Sequence, residues 1–188
     1  VLVKQKRKTT EKGPNVLLIG IDSISRLNFI RSMPETFKFV SKGWYDMKAF
    51  NKIGDNTFPN LNALLNGRNL SKMEEDCNWK TTGELEKCRF LWNEFSDAGY
   101  ATAYAEDTSS IQTFNYYKTG FVHQPTDHYL RPFTLAAEKH VRAVFSRPWL
   151  VKCLGYHHYA DYIYQYARDF ANVYQNESFF GLFWTNSF

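Results

Sequence analysis

An uncharged apolar run, Val16-Leu-Leu-Ile-Gly-Ile21, set between Asn15 and Asp22, is the feature that most limits what this chain can fold into. It does not alternate with polar residues, so it reads as a strand covered on both faces, the pattern of a parallel sheet with helices on either side. Phe179-Phe-Gly-Leu-Phe-Trp184 repeats the signature near the other end, and Tyr100 to Ala105 gives a shorter version in between. Amphipathic stretches separate these runs. The expected class is therefore α/β, a three-layer αβα arrangement around a mostly parallel sheet. Asp22 then closes a central strand at its carboxyl end, where open α/β sheets place ligands.

A second stretch completes a candidate site. Gly54-Asp-Asn-Thr57-Phe-Pro-Asn60 leads into Leu61, Leu64 and Leu65 at helical spacing and stops at Gly67. Thr57 reads as the N-cap, with Pro59 in the first turn. A hydroxyl at a helix N-terminus stands beside free backbone N–H groups and the positive end of the macrodipole, which suits an anion. Aspartates after strands and threonines at helix caps are each ordinary structural features. Together, a strand-end carboxylate and a helix-start hydroxyl form a metal and nucleophile pair.

The remaining elements are read from periodicity. Ser23-Ile-Ser25 opens a helix that Pro34 breaks or kinks, and a further turn runs from Glu35 to Val40. Tyr45 to Ile53 alternates loosely and reads as a strand. Residues 68–87 form a polar excursion. Phe90 to Ala98 is helical with Gly99 as its C-cap, and the strand after it ends at Glu106-Asp107. That acidic pair either caps a helix beginning at Thr108 or ligates metal. Residues 114–133, with Asp127-His128, read as a loop that lines a pocket or as packing around a structural pair. Helices are expected over 134–147 and 158–175. His157-His158 is a poor metal signal, because ligand pairs on a helix stand three or four apart.

The wording of these segments resembles the alkaline phosphatase and sulfatase superfamily. Its members carry a strand of the form "NVLLIxxD" and a nucleophile some tens of residues later at a helix start. Thr57-Phe58-Pro59-Asn60 is similar to the nucleophile motif of the nucleotide pyrophosphatase and phosphodiesterase branch. Over nearly its whole length the chain resembles an uncharacterised sulfatase-like family of animal proteins, through Asp22-Ser-Ile-Ser-Arg26, Arg31-Ser-Met-Pro34, Gly54 to Asn60, Tyr104-Ala-Glu-Asp107, Phe114-Asn-Tyr-Tyr117 and Gly120-Phe121 through Pro125 to Pro132. The resemblance implies an alkaline-phosphatase-like domain with Asp22 and Thr57 as metal ligands, Thr57 as catalytic nucleophile and Asn60 on a substrate oxygen. It also implies two divalent metals, zinc in such enzymes, whose later Asp and His ligands would come after the strand ending near Trp184. On that view residues 15–188 are the N-terminal part of a larger domain, truncated at the C-terminus, and the piece alone is inactive. Sulfatases of the superfamily make formylglycine from Cys or Ser in a Cys/Ser-x-Pro-x-Arg setting. Thr57 and Leu61 lack both the convertible residue and the arginine, so a phosphate mono- or diester on a small-molecule, glycan or lipid carrier is favoured over a sulfate ester. The other class is a catalytically inactive extracellular binding module on the same fold.

Composition excludes other partners. With 188 residues and 44% hydrophobic side chains, one substantial core is available, and 18% aromatic residues favour large packed surfaces. The net charge of +4 is modest, and much of it lies in a flexible basic lead-in over residues 1–14, so the folded body offers no basic aromatic stripe for nucleic acid. No apolar stretch has transmembrane length. Of three cysteines, Cys77 and Cys88 bracket a short polar segment that a disulfide would close, and Cys153 is left over. With the sequons Asn69-Leu-Ser71 and Asn176-Glu-Ser178, they point to an extracellular or secretory setting.

Overall fold

A computed structural model describes residues 12–148 and 150–187. Four parallel strands form the main sheet in the order β1 (Val16–Ile21), β7 (Phe179–Thr185), β2 (Ala101–Glu106), β3 (His128–Tyr129). Helices cover both faces, giving the expected αβα layering. On one face α3 (Thr57–Asn66), α4 (Leu70–Cys77) and α5 (Leu91–Asp97) pack on Tyr104, Phe180 and Leu182; on the other, α7 (Tyr159–Val173) packs on Ala101, Ala103, Ala105, Phe179 and Phe183. Period-two alternation decides this sorting: β2 sends three alanines toward the Phe170 and Tyr174 rings and Tyr104 toward the Trp92 ring, 5.5 Å away. Two glycines in the sheet are required by packing. A Cβ on Gly20 would stand 1.8 Å from the Trp184 ring, and one on Gly181 would stand 2.5 Å from Phe183.

The centre of the sheet differs from the sequence expectation. β7 and β2 are the inner strands and are buried along nearly their full length, whereas β1 has only β7 beside it among the described residues and leaves Leu17 and Ile19 exposed. Asp22 thus ends an edge strand. Helices α1 (Arg26–Ser32) and α2 (Pro34–Val40) bury no residue, and the stretch from Tyr45 to Ile53, read as a strand, has no strand pairing and exposes Tyr45, Met47, Phe50 and Ile53. Alternation misleads there because nothing in the described residues covers the apolar set.

Local structure departs from expectation in two more places. The polar excursion over 68–87 contains α4 and a 3-10 turn at Glu84–Lys87, and Cys77 and Cys88 close it as a disulfide beside Met73, Leu85 and Phe90. A loop this short gains about 3 kcal/mol in the chain-entropy account. The helix expected at 134–147 is instead α6 (Arg131–His140), and the chain then forms an antiparallel sheet of β4 (Ala143–Arg147), β5 (Leu150–Leu154) and β6 (His157–His158). Val141, Val144 and Phe145 are β-branched or aromatic and favour a pleated surface, a preference the helical reading passes over. Lys12 and Gly13, the end of the lead-in, are pinned to Gln175 and Ser178; residues 1–11 lie outside the described residues.

Candidate active site

The carboxyl ends of β1, β7 and β2 sit side by side, and α3 starts at the same edge. The β1–β7 ladder runs one residue past the strand, with the Asp22 N–H donating to the Thr185 carbonyl at 2.9 Å, which fixes the Asp22 backbone. Thirty-five residues later the Thr57 hydroxyl donates to Asp22 Oδ1 at 3.0 Å. Ser23 Oγ donates to Asp22 Oδ2 at 3.2 Å. Asp22 is half-buried and has no cation partner among the described residues. Its two oxygens are satisfied by hydroxyls alone.

Thr57 is the first helical residue rather than the cap, and Asn56 holds the cap position with no side-chain hydrogen bond to the helix. The first N–H groups of α3 are therefore not closed by a side chain. Asn56 adopts φ 69° and ψ 175°, and Ser23, which comes directly after Asp22, has φ 57°. Each partner of the pair is flanked by a residue in backbone conformations that L side chains adopt at a cost of about 1–3 kcal/mol. Gly54 permits the close approach of the loop to the helix: a Cβ there would stand 2.9 Å from Pro59 Cβ.

Asn60 is turned into that loop. Its oxygen accepts from the Ile53 N–H at 2.8 Å, and its amide donates to the Gly54 and Asn56 carbonyls at 2.8 and 2.7 Å. In this structure it braces the segment that delivers Thr57. Lys118, unremarked in the sequence, places its ammonium 4.2 Å from the centre of the Phe58 ring and donates to the Tyr116 carbonyl at 2.9 Å; burial lowers its pKa. Nothing in the spacing of Lys118 from Thr57 signals this, because the contact joins the first turn of α3 to the loop between β2 and β3.

The neighbouring strand ends are built differently. Asp107 accepts from the Asn186 and Ser187 N–H groups at 2.6 and 3.2 Å, and burial raises its pKa. Glu106 accepts from the Tyr104 hydroxyl, from the Thr113 N–H at 2.8 Å and from the Asn186 amide at 3.3 Å. Its burial pushes its pKa up to about 7 against those donors. The two carboxyls lock the top of β7 to the top of β2. Asp127 is structural, accepting from the Thr102 N–H and hydroxyl at 2.8 and 2.7 Å, and His128 pairs with the Tyr174 hydroxyl at 2.8 Å in the core.

Among the described residues no group of three His, Cys, Asp or Glu side chains stands close enough together to hold a metal ion. Asp22 and Thr57 offer two oxygen ligands, fewer than the three that a catalytic zinc takes from protein. The residues present do not make a complete metal site. Of the sequons, Asn69 is exposed and caps α4 by accepting from the Lys72 N–H, and Asn176 is exposed in the turn after α7. Cys153 is half-buried and unpaired in any disulfide.

Fold and site together define a layered α/β protein with its candidate site at the carboxyl edge of a parallel sheet. The chain belongs to a family described as "Protein of unknown function (DUF229)", whose match covers residues 2–188. No curated protein matches the chain, and neither does any solved structure. No helix of the described residues is long and apolar enough to cross a membrane.

Proposed function

We propose that this chain carries the nucleophile half of a metal-dependent ester hydrolase site, acting on a phosphate mono- or diester, with Thr57 as the attacking group. The observation that carries the reading is the 3.0 Å hydrogen bond from Thr57 to Asp22, made by two strained segments thirty-five residues apart at the carboxyl edge of the sheet. Asp22 orients the hydroxyl, whose oxygen would form the new P–O bond as the ester P–O bond opposite it breaks and the alcohol leaves in line. The uncapped first turn of α3 faces the equatorial oxygens, and Lys118 adds positive charge beside the same turn. Asn60 braces the loop; contact with substrate would require it to give up bonds it now makes.

A carboxylate alone is too weak a base to hold a threonine alkoxide near neutral pH. A divalent metal, zinc by the resemblance, would supply what the carboxylate lacks by lowering the pKa of a hydroxyl bound to it. Asp22 and Thr57 are this chain's contribution to it, and no step is assigned to ligands that the described residues lack. Threonine cannot be converted to formylglycine by the route sulfatases use, which favours phosphorus over sulfur.

The test is hydrolysis of p-nitrophenyl phosphate, a bis(p-nitrophenyl) ester and p-nitrophenyl sulfate by the full-length protein with added zinc. Turnover of a phosphate ester that falls at least about a thousandfold in Thr57→Ala, and partly returns in Thr57→Ser, is expected for an activated nucleophile. Turnover unaltered in Thr57→Ala sinks the reading. A protein that binds zinc but turns over none of the three esters supports the inactive binding module.

A further inference from the structure

The sequons Asn69-Leu-Ser71 and Asn176-Glu-Ser178 lie outside the hydrolase site, and the fold leaves their amide nitrogens free. The amides of Asn60, Asn62, Asn66 and Asn186 each donate to an acceptor within the chain. Asn69 uses only its side-chain oxygen, which caps α4 by accepting from the Lys72 N–H at 2.9 Å. Asn176 makes no side-chain hydrogen bond among the described residues, and both asparagines are exposed. Cys77 and Cys88 form a disulfide in the same chain, a bond that persists in oxidising compartments such as the secretory lumen. Asn176 stands in the turn leading into β7, at the amino end of the sheet and away from Asp22 and Thr57 at the carboxyl edge.

We propose that Asn69 and Asn176 carry N-linked glycans, added in the secretory lumen from a lipid-pyrophosphate-linked oligosaccharide. In that transfer the amide nitrogen bonds to C1 of the first sugar as the bond from C1 to the pyrophosphate oxygen breaks. The amide gives up one proton, and the lipid pyrophosphate leaves. The fold dictates when this happens. Ser71, the hydroxyl residue of the first sequon, is wound into the first turn of α4. Ser178, that of the second, is buried, its hydroxyl accepting from the Gly13 N–H at 2.7 Å and donating to the Gly13 carbonyl at 3.2 Å. A transferase that reads asparagine and hydroxyl together finds both in the unfolded chain, so transfer precedes folding. Nothing then has to give way, because the α4 cap takes the Asn69 oxygen and leaves its nitrogen for the sugar. These positions are separate from Asp22 and Thr57 and do not depend on the reading of that pair.

The full-length protein secreted from eukaryotic cells is treated with peptide-N-glycosidase, which releases each glycan and leaves aspartate where the glycosylated asparagine stood. Two downward steps in apparent mass are expected on a gel, with aspartate found at positions 69 and 176 by peptide mass spectrometry in heavy-oxygen water. Ser71→Ala should remove one step while keeping the α4 cap. Asn176→Gln should remove the other while leaving the Ser178 hydrogen bonds in place. The peptide map is read on the unaltered protein, so it decides the matter even where a variant fails to fold. A protein that the glycosidase leaves unaltered overturns the proposal, and so do steps that survive both substitutions.

Discussion

Two pairs of polar side chains stand at the same edge of one sheet, and they are built for opposite ends. Glu106 and Asp107 are almost wholly buried, and backbone and side-chain donors from the end of β7 and the loop after β2 surround them. Asp22 and Thr57 are half-exposed, Asp22 meets hydroxyls rather than backbone donors, and the pair is flanked by strained Ser23 and Asn56. A buried carboxylate that accepts several hydrogen bonds is a clasp, because its partners lie inside the fold. A half-open carboxylate next to an uncapped helix start has capacity left for something outside the chain. Position on the sheet therefore does not separate the two carboxylates; the source of their donors does.

The contrast breaks most readily at Asp107. Asp107→Ala would leave the Asn186 and Ser187 N–H groups buried without acceptors, at about 1–3 kcal/mol each, so an overall loss of about 4 kcal/mol is expected in urea unfolding. Asp22→Ala removes an acceptor from two hydroxyls that water reaches, and should change stability by less than about 1 kcal/mol while abolishing any phosphoesterase activity of the full-length protein. If both substitutions destabilise alike, the division between clasp and open pair is wrong.

Much of this edge is legible in the sequence, and the rest is hidden for physical reasons. Continuous apolar runs give β1, β2 and β7 directly, and the breaker spacing gives α3 with Thr57 at its start. That β1 has one neighbour strand among the described residues is not local information, because an apolar run looks the same whether one neighbour strand covers it or two. The resemblance puts Asn60 on substrate, but its side chain accepts and donates within its own loop, a geometry that no spacing rule reveals. Glu106-Asp107 reads equally as a cap or as ligands, and only the approach of Asn186 and Ser187, some eighty residues away, decides it. Residues 143–158 escape a periodicity reading because their β-sheet partners are one another, with turns too short to mark the change of period.

Glu106 sharpens the contrast through pH. Its carboxyl titrates near 7 when folded and near 4.5 when unfolded, so the native state holds its proton more tightly. Its contribution is complete below about pH 4.5 and is lost as pH rises through about 7, by an amount on the order of 3 kcal/mol. Asp107, also raised by burial, acts in the same direction. Stability measured by denaturant should therefore fall for this clasp as pH rises from about 5 to about 8. Glu106→Gln should flatten that part of the profile. A profile that Glu106→Gln leaves unaltered would remove the desolvated acid from the account.

The smallest expected effect tests the strain on the open side. Asn56 holds φ 69° and ψ 175° with no side-chain bond to the helix it precedes, so its side chain gives nothing visible in return for the strain. Glycine adopts that conformation freely. Asn56→Gly should therefore raise stability by about 1 kcal/mol, less the entropy glycine adds to the unfolded chain. A structural turn would gain in that exchange and lose nothing else. If the strain instead holds Thr57 in register with Asp22, the glycine variant of the full-length protein should be as stable or more so, yet turn over phosphoester more slowly, because the relaxed loop no longer fixes the hydroxyl. Equal activity with higher stability would mean that the strain is incidental and that the Asp22–Thr57 contact is held by Asn60 and Gly54 alone.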